Sequence, residues 1–185
     1  QNNNLMKSTR RSFLKSTTAL SAISLPGLAL GNNPEKKLKI VCVGGHPDDP
    51  ESGCGGTLAL ATGAGHSVTT IYLTRGEAGI EGKSLTEAAA IRSKEAELAC
   101  AILKVKPIFA GQVDGATLIN REWITRFQQL LENEKPDIVF TQWPIDTHPD
   151  HQMASLLTVN AWIRSGKKFS LYFYEVCNGE QTLSF

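Results

Sequence analysis

From Leu38 to Val176 the chain alternates short apolar segments with longer stretches of helical spacing, and that alternation leaves few folds open. Leu38 to Val43 is an apolar run closed by Gly44-Gly45, as expected of a strand covered on both faces. Ser67 to Leu73, Pro107 to Ala110, Asp137 to Gln142 and Phe169 to Val176 read as four further strands, rich in β-branched or aromatic residues. Between them, Gly53 to Ala64 is small-residue-rich and predicted helical. Ser84-Leu85-Thr86-Glu87 is a capping box, starting a helix toward Leu103 with Ala88, Ala89, Ala96, Ala99 and Leu103 at helical spacing. Asn120 can cap a helix whose Trp123, Ile124, Phe127, Leu130 and Leu131 form one apolar stripe ended by Pro136. Pro149 to Ile163 reads as the last helix. Strand and helix in regular turn predict the α/β class: a Rossmann-like three-layer sandwich around a mostly parallel sheet. Ligands are then expected at the C-terminal ends of the strands.

Bulk properties exclude more than they identify. The 185 residues suffice for one domain, and 41% hydrophobic against 20% charged residues allow a packed core. Of the 19 basic residues, four (Lys7, Arg10, Arg11, Lys15) fall within residues 1–34, which hold no acidic residue. The other 15 face 18 acidic residues, so the body is mildly acidic and no nucleic-acid partner is expected. No apolar run approaches the ~18 residues that span a bilayer, so no stable membrane span is expected in the mature protein.

Residues 1–31 read as an export segment and 32–185 as the α/β domain. Thr9-Arg10-Arg11-Ser12-Phe13-Leu14-Lys15 resembles the twin-arginine signature, with Met6 as the start and Gln1 to Leu5 as upstream residues. The apolar stretch Thr17 to Leu30 follows, and Ala29-Leu30-Gly31 offers small residues for cleavage. Periplasmic delivery is the expectation. Cys42, Cys54, Cys100 and Cys177 form no C-x-x-C pair, so neither a zinc ribbon nor a thioredoxin-like motif is indicated. Cys42, in a strand, and Cys100, on an apolar helix face, are expected to be buried thiols; the pairing state of the four stays open.

Two loops carry the chemistry. After the first strand comes Gly44-Gly45-His46-Pro47-Asp48-Asp49-Pro50-Glu51, followed by Gly53, Gly55 and Gly56. A dinucleotide loop is disfavoured, because the G-x-G-x-x-G spacing is missing and three carboxylates would face a pyrophosphate. Carboxylates beside a histidine suit a divalent cation instead. After the fourth strand comes Asp146-Thr147-His148-Pro149-Asp150-His151, where Pro149 suits the first helical position and His148 the cap. Three of the four histidines fall in these two loops; the fourth, His66, lies at the opposite end of the sheet and is expected to be solvated.

The motifs HPDDPE (46–51), GCGGT (53–57), TRGEAG (74–79), RSKEA (92–96) and HPDH (148–151), in this order, resemble the GlcNAc-phosphatidylinositol de-N-acetylase family, also called PIG-L or LmbE-like. The resemblance covers Leu38 to Val176. It implies a zinc-dependent N-deacetylase acting on an N-acetylglucosamine-type sugar or glycoconjugate. His46, Asp49 and His151 would hold one Zn2+ per chain, with Fe2+ as the other candidate. It further implies Asp48 as general base, His148 facing the substrate carbonyl or the leaving amine, and Arg92 contacting substrate. Arg75 and Asp114, after the second and third strands, are candidates for binding sugar hydroxyls, and Trp143 for flooring the sugar. Glu51 is expected to support the ligands or the helix start. Arg92 and Glu95, one turn apart, are also spaced as a surface ion pair. Family domains continue beyond a fifth strand, so this chain is expected to be short at its C-terminus. Two other readings stand beside this one: amide cleavage of a sugar–thiol conjugate, and a non-catalytic metal or glycan binder on the same fold. The sequence is silent on oligomeric state.

Overall fold

The computed structural model describes residues 36–176. The expected export segment and Cys177 lie outside the described residues. Five strands and four helices alternate: β1 Lys39–Gly44, α1 Asp49–Gly63, β2 Ser67–Tyr72, α2 Leu85–Leu103, β3 Lys106–Phe109, α3 Arg121–Glu134, β4 Ile138–Gln142, α4 Pro149–Arg164 and β5 Ser170–Tyr174. The strands form one sheet in the order β3-β2-β1-β4-β5, and every pairing is parallel. The α/β class read from the sequence is the class observed. Among the described residues no helix is long and apolar enough to cross a membrane.

β1 is central, and alternate side chains feed two cores. Val41 and Val43 point with Ile71, Leu73 and Val139 toward Phe127, Leu131, Ala154, Leu157 and Ala161 of α3 and α4. Ile40 and Cys42 point the other way, with Val68 and Tyr72, toward Cys54, Leu58, Ala96 and Cys100 of α1 and α2. Cys42, Cys54 and Cys100 are all buried.

Local signals set the helix starts. The capping box forms as predicted, Ser84 Oγ accepting from the Glu87 amide and Glu87 accepting from the Ser84 amide. Asn120 caps α3 through the Trp123 amide at 2.8 Å, and His148 stands at the cap of α4 before Pro149. One boundary differs from expectation: α1 begins at Asp49 rather than near Gly53. Pro50 in the first turn needs no amide partner, and Asp49 and Glu51 favour a helix N-terminus. The three glycines downstream weaken the periodic signal that would have revealed this start.

Strand order creates the site. From β1 the chain winds outward through β2 to β3, then returns to β4 on the other flank of β1. Neighbouring strands β1 and β4 therefore send their following segments in opposite directions, which opens a crevice at their C-terminal ends. The two histidine-bearing loops leave the sheet at this crevice.

Candidate metal centre

Gly45 begins the first loop, and its N–H donates to Gln142 Oε1 at 2.8 Å, tying the end of β1 to the end of β4. A Cβ at Gly45 would lie 3.0 Å from His151 Cδ2, so glycine lets the second loop come close. His46, Asp49 and His151 are all buried. The Asp49 carboxylate bridges the two rings: Oδ2 lies 3.3 Å from His46 Nδ1 and Oδ1 lies 3.3 Å from His151 Nε2. The same two ring nitrogens are 3.3 Å apart. Ligands at ~2.0–2.1 Å around a tetrahedral zinc stand about 3.3–3.4 Å from one another, so these donors are spaced for such an ion.

The outward nitrogens of both rings meet carboxylates. His46 Nε2 lies 3.0 Å from Asp150 Oδ2 and 3.1 Å from Asp114 Oδ1. His151 Nδ1 is 3.2 Å from Asp146 Oδ2, although the ring is turned off the ideal hydrogen-bond line. Asp150 is itself held by the Gly115 amide at 2.8 Å and the Thr117 hydroxyl. Two imidazoles inside a ring of four carboxylates make a site that demands positive charge. Burial alone would lower the His46 pKa, but hydrogen bonds to Asp150 and Asp49, with the charges of Asp49 and Asp114, carry it up to about 10. His151 is likewise raised by Asp49 and Asp146 against the effect of burial. For Asp49, burial is outweighed by His151 and His46, which hold its carboxyl below the usual carboxylate range. Both shifts have the same cause, a surplus of buried carboxylate charge that a bound cation would also balance.

His148 stands at the mouth. Its ring is edge-on to His46 and stacked on His151, with centroids 4.7 Å away in each case. The sequence left its charge open, with Asp146 and Asp150 as possible supports. Those carboxylates turn mainly to His151 and His46, and burial together with the nearby His46 and His151 lowers the pKa of His148. Its Nδ1 accepts from the Asp150 amide at 3.2 Å, which leaves the neutral ring its proton on Nε2.

The remaining candidates are placed as follows. Asp48 lies at the start of α1, its carboxylate on Arg92 Nη2 at 2.9 Å. A cleft of about 380 Å³ opens beside it, lined in part by Glu51, Ile80, Arg92 and Glu95. Arg92 meets Asp48 rather than Glu95, the neighbour its helical spacing suggested. Arg75 packs its guanidinium 4.4 Å over the Phe109 ring and donates to Ser93 Oγ at 2.9 Å. Asp114 turns inward to His46, and its second oxygen accepts the Ala78 amide. Glu51 accepts the Tyr72 hydroxyl from the first turn of α1, and burial raises its pKa. Trp143 is partly exposed and edge-on to Phe173. His66 is not free in solvent as expected: it is half-buried, and its Nδ1 accepts from the Leu38 amide at 3.4 Å. Sequence reasoning missed Gly115 and Thr117, because nothing local links a turn after β3 to a carboxylate in α4.

An α/β fold whose β1 and β4 ends bring two histidines and a ring of carboxylates together defines a scaffold with a candidate divalent-metal centre at its strand ends. Residues 41–162 match the PIG-L family, described as GlcNAc-PI de-N-acetylase, and the chain belongs to it. A diacetylchitobiose deacetylase of Thermococcus kodakarensis is 33% identical over 129 residues, covering 66% of this chain and 48% of that protein. Among solved structures, a conserved protein from Thermus thermophilus is 36% identical with a TM-score of 0.66, covering 75% of this chain and 66% of that one. An N,N'-diacetylchitobiose deacetylase from Pyrococcus horikoshii is 30% identical with a TM-score of 0.66, over 88% of this chain and 61% of that one. The chain thus spans about half the length of the Thermococcus relative and under two thirds of the Pyrococcus one.

Proposed function

We propose that this domain is a metal-dependent N-deacetylase that removes acetyl from an N-acetylglucosamine-type sugar or glycoconjugate. The observation that carries the reading is the triangle of His46 Nδ1, Asp49 carboxylate and His151 Nε2, each pair 3.3 Å apart. Family membership and the deacetylase relatives support it. His46, Asp49 and His151 would hold the ion, with zinc favoured by two imidazoles and one carboxylate. When bound there, a divalent cation supplies Lewis acidity toward an amide carbonyl and acidifies water.

The residues of the chain divide the remaining work. Asp48, adjacent to a ligand and more exposed, takes the proton of the attacking water. Water oxygen bonds to the amide carbon, the carbon–nitrogen bond breaks, and the proton held by Asp48 passes to the departing amine as acetate forms. His148, neutral with its proton on Nε2, donates a hydrogen bond to the oxyanion rather than a proton to the amine. Asp150, Asp114 and Asp146 orient the ligating rings.

Acetate release from N-acetylated sugars by the zinc-loaded chain tests the proposal. Release of amine without acetate from a sugar–thiol conjugate would replace the substrate class. Glycan binding with no turnover would favour the binder reading. Export by the twin-arginine route to the periplasm is proposed alongside, on the strength of Arg10-Arg11 and the apolar stretch that follows.

A further inference from the structure

Asp48 occupies an unusual backbone position. It is the N-cap of α1 with φ 95° and ψ −25°, a left-handed conformation that costs a non-glycine residue energy. Its side chain makes no capping bond to the helix it precedes. The chain therefore spends a strained residue at the cap without using its carboxylate there. That carboxylate goes to Arg92, whose Nη2 donates to Asp48 Oδ2 at 2.9 Å and also to the Pro47 carbonyl oxygen. One guanidinium nitrogen thus grips both sides of the Pro47–Asp48 peptide.

Arg92 is itself held in place. It projects from α2, its side chain is 17% exposed against 67% for Asp48, and it runs past the turn after β2. A Cβ on Gly76 would come 2.5 Å from Arg92 Nε, and one on Gly79 would overlap Arg92 Nη1. Both glycines of the TRGEAG turn therefore leave a channel that the arginine fills. An ion pair this exposed on one side adds little to stability. A two-point grip on a strained turn next to a metal ligand instead fixes direction.

We infer that Arg92 is a positioning residue for Asp48, holding the carboxylate and the strained turn in the orientation the reaction needs, rather than primarily a substrate contact. The inference rests on the deacetylase reading for its kinetic consequences, while the grip itself can be tested without turnover.

The test uses the full zinc-loaded chain and the variants Arg92→Ala, Gly79→Ala, Asp48→Ala and Asp48→Ala/Arg92→Ala. Misplacing a reacting group by about 1 Å costs roughly 10²-fold, so Arg92→Ala should lower kcat by about that factor with KM within about threefold. Gly79→Ala, which keeps the arginine but crowds it, should show the same pattern. On the Asp48→Ala background, loss of Arg92 should lower kcat by less than about threefold more. A raised KM with kcat preserved, or full additivity with Asp48→Ala, overturns the inference in favour of substrate binding. Hydrogen exchange of residues 46–52 gives the readout independent of activity: severalfold faster exchange in Arg92→Ala upholds the grip, and unchanged exchange overturns it. If the wild type releases no acetate from any sugar tried, the deacetylase reading fails, and the exchange result alone decides the grip.

Discussion

His46 Nε2 and Asp150 Oδ2 stand 3.0 Å apart although 104 positions separate the two residues. The contact fixes a tautomer. Once the ring is neutral, as a bound cation requires, its remaining proton stays on Nε2 toward Asp150 and Nδ1 offers a lone pair toward Asp49 and His151. Asp150 can do this because the Gly115 amide and the Thr117 hydroxyl hold its own oxygens in place.

Asp150→Asn should therefore weaken zinc binding about 10- to 100-fold, the usual cost of losing a carboxylate behind a ligating histidine. His151→Ala should abolish most of it. Competition against a chromogenic chelator, with elemental analysis of the same samples, measures both. Unaltered affinity in Asp150→Asn would remove that residue from the support of His46.

Asp48→Asn should retain metal and fold while losing deacetylation by ~10²–10⁴-fold, since an amide cannot accept the proton of the attacking water. Acetate production and zinc content measured together separate the outcomes. Turnover near wild type with metal retained would show that another group is the base.

Between about pH 7 and about pH 9 the metal-free chain should lose stability as pH rises, while the metal-loaded chain should not. The His46 pKa is about 10 in the folded metal-free chain, against an ordinary value near 6.5. Between those values the folded state binds the proton that the unfolded state releases, so its stabilising contribution is complete below about pH 6.5 and is lost toward pH 10. The raised pKa of His151 acts in the same direction. The Tm of metal-free protein should fall from about pH 7 to about pH 9. A bound cation needs the rings unprotonated, so stabilisation by zinc should grow over the same interval. Parallel thermal melts with and without zinc check this; a metal-free Tm that rises with pH would contradict the charge arrangement described.

Replacing Arg10 and Arg11 by lysine in the full precursor should leave it unprocessed in the cytoplasm. Cell fractionation gives the answer, and unchanged periplasmic delivery in a strain lacking the twin-arginine pathway would exclude that route.

What a reader of the residues alone can extract here is what short-range physics controls. The α/β alternation, the Ser84–Glu87 capping box, the Asn120 cap and His148 before Pro149 all depend on groups a few positions apart, and each is realised. Among the helix starts, periodicity failed where its signal was diluted, at Asp49–Ser52, whose acidic and proline residues start a helix that glycines then obscure. The histidine-bearing loops were also legible, because their residue types are unusual wherever they fall. Partnerships were not. Local spacing offered Glu95 to Arg92, yet the arginine reaches Asp48; nothing local linked Asp114 to His46, yet its carboxylate lies 3.1 Å from that ring. These choices follow from parallel pairing, which brings the turns after β1, β2, β3 and β4 to the same end of the strands, with β1 lying between β2 and β4. Sequence determined which groups are available at those strand ends. Tertiary structure decided which of them meet, because a buried charge takes the partner that packing brings within about 3 Å rather than the one nearest along the chain.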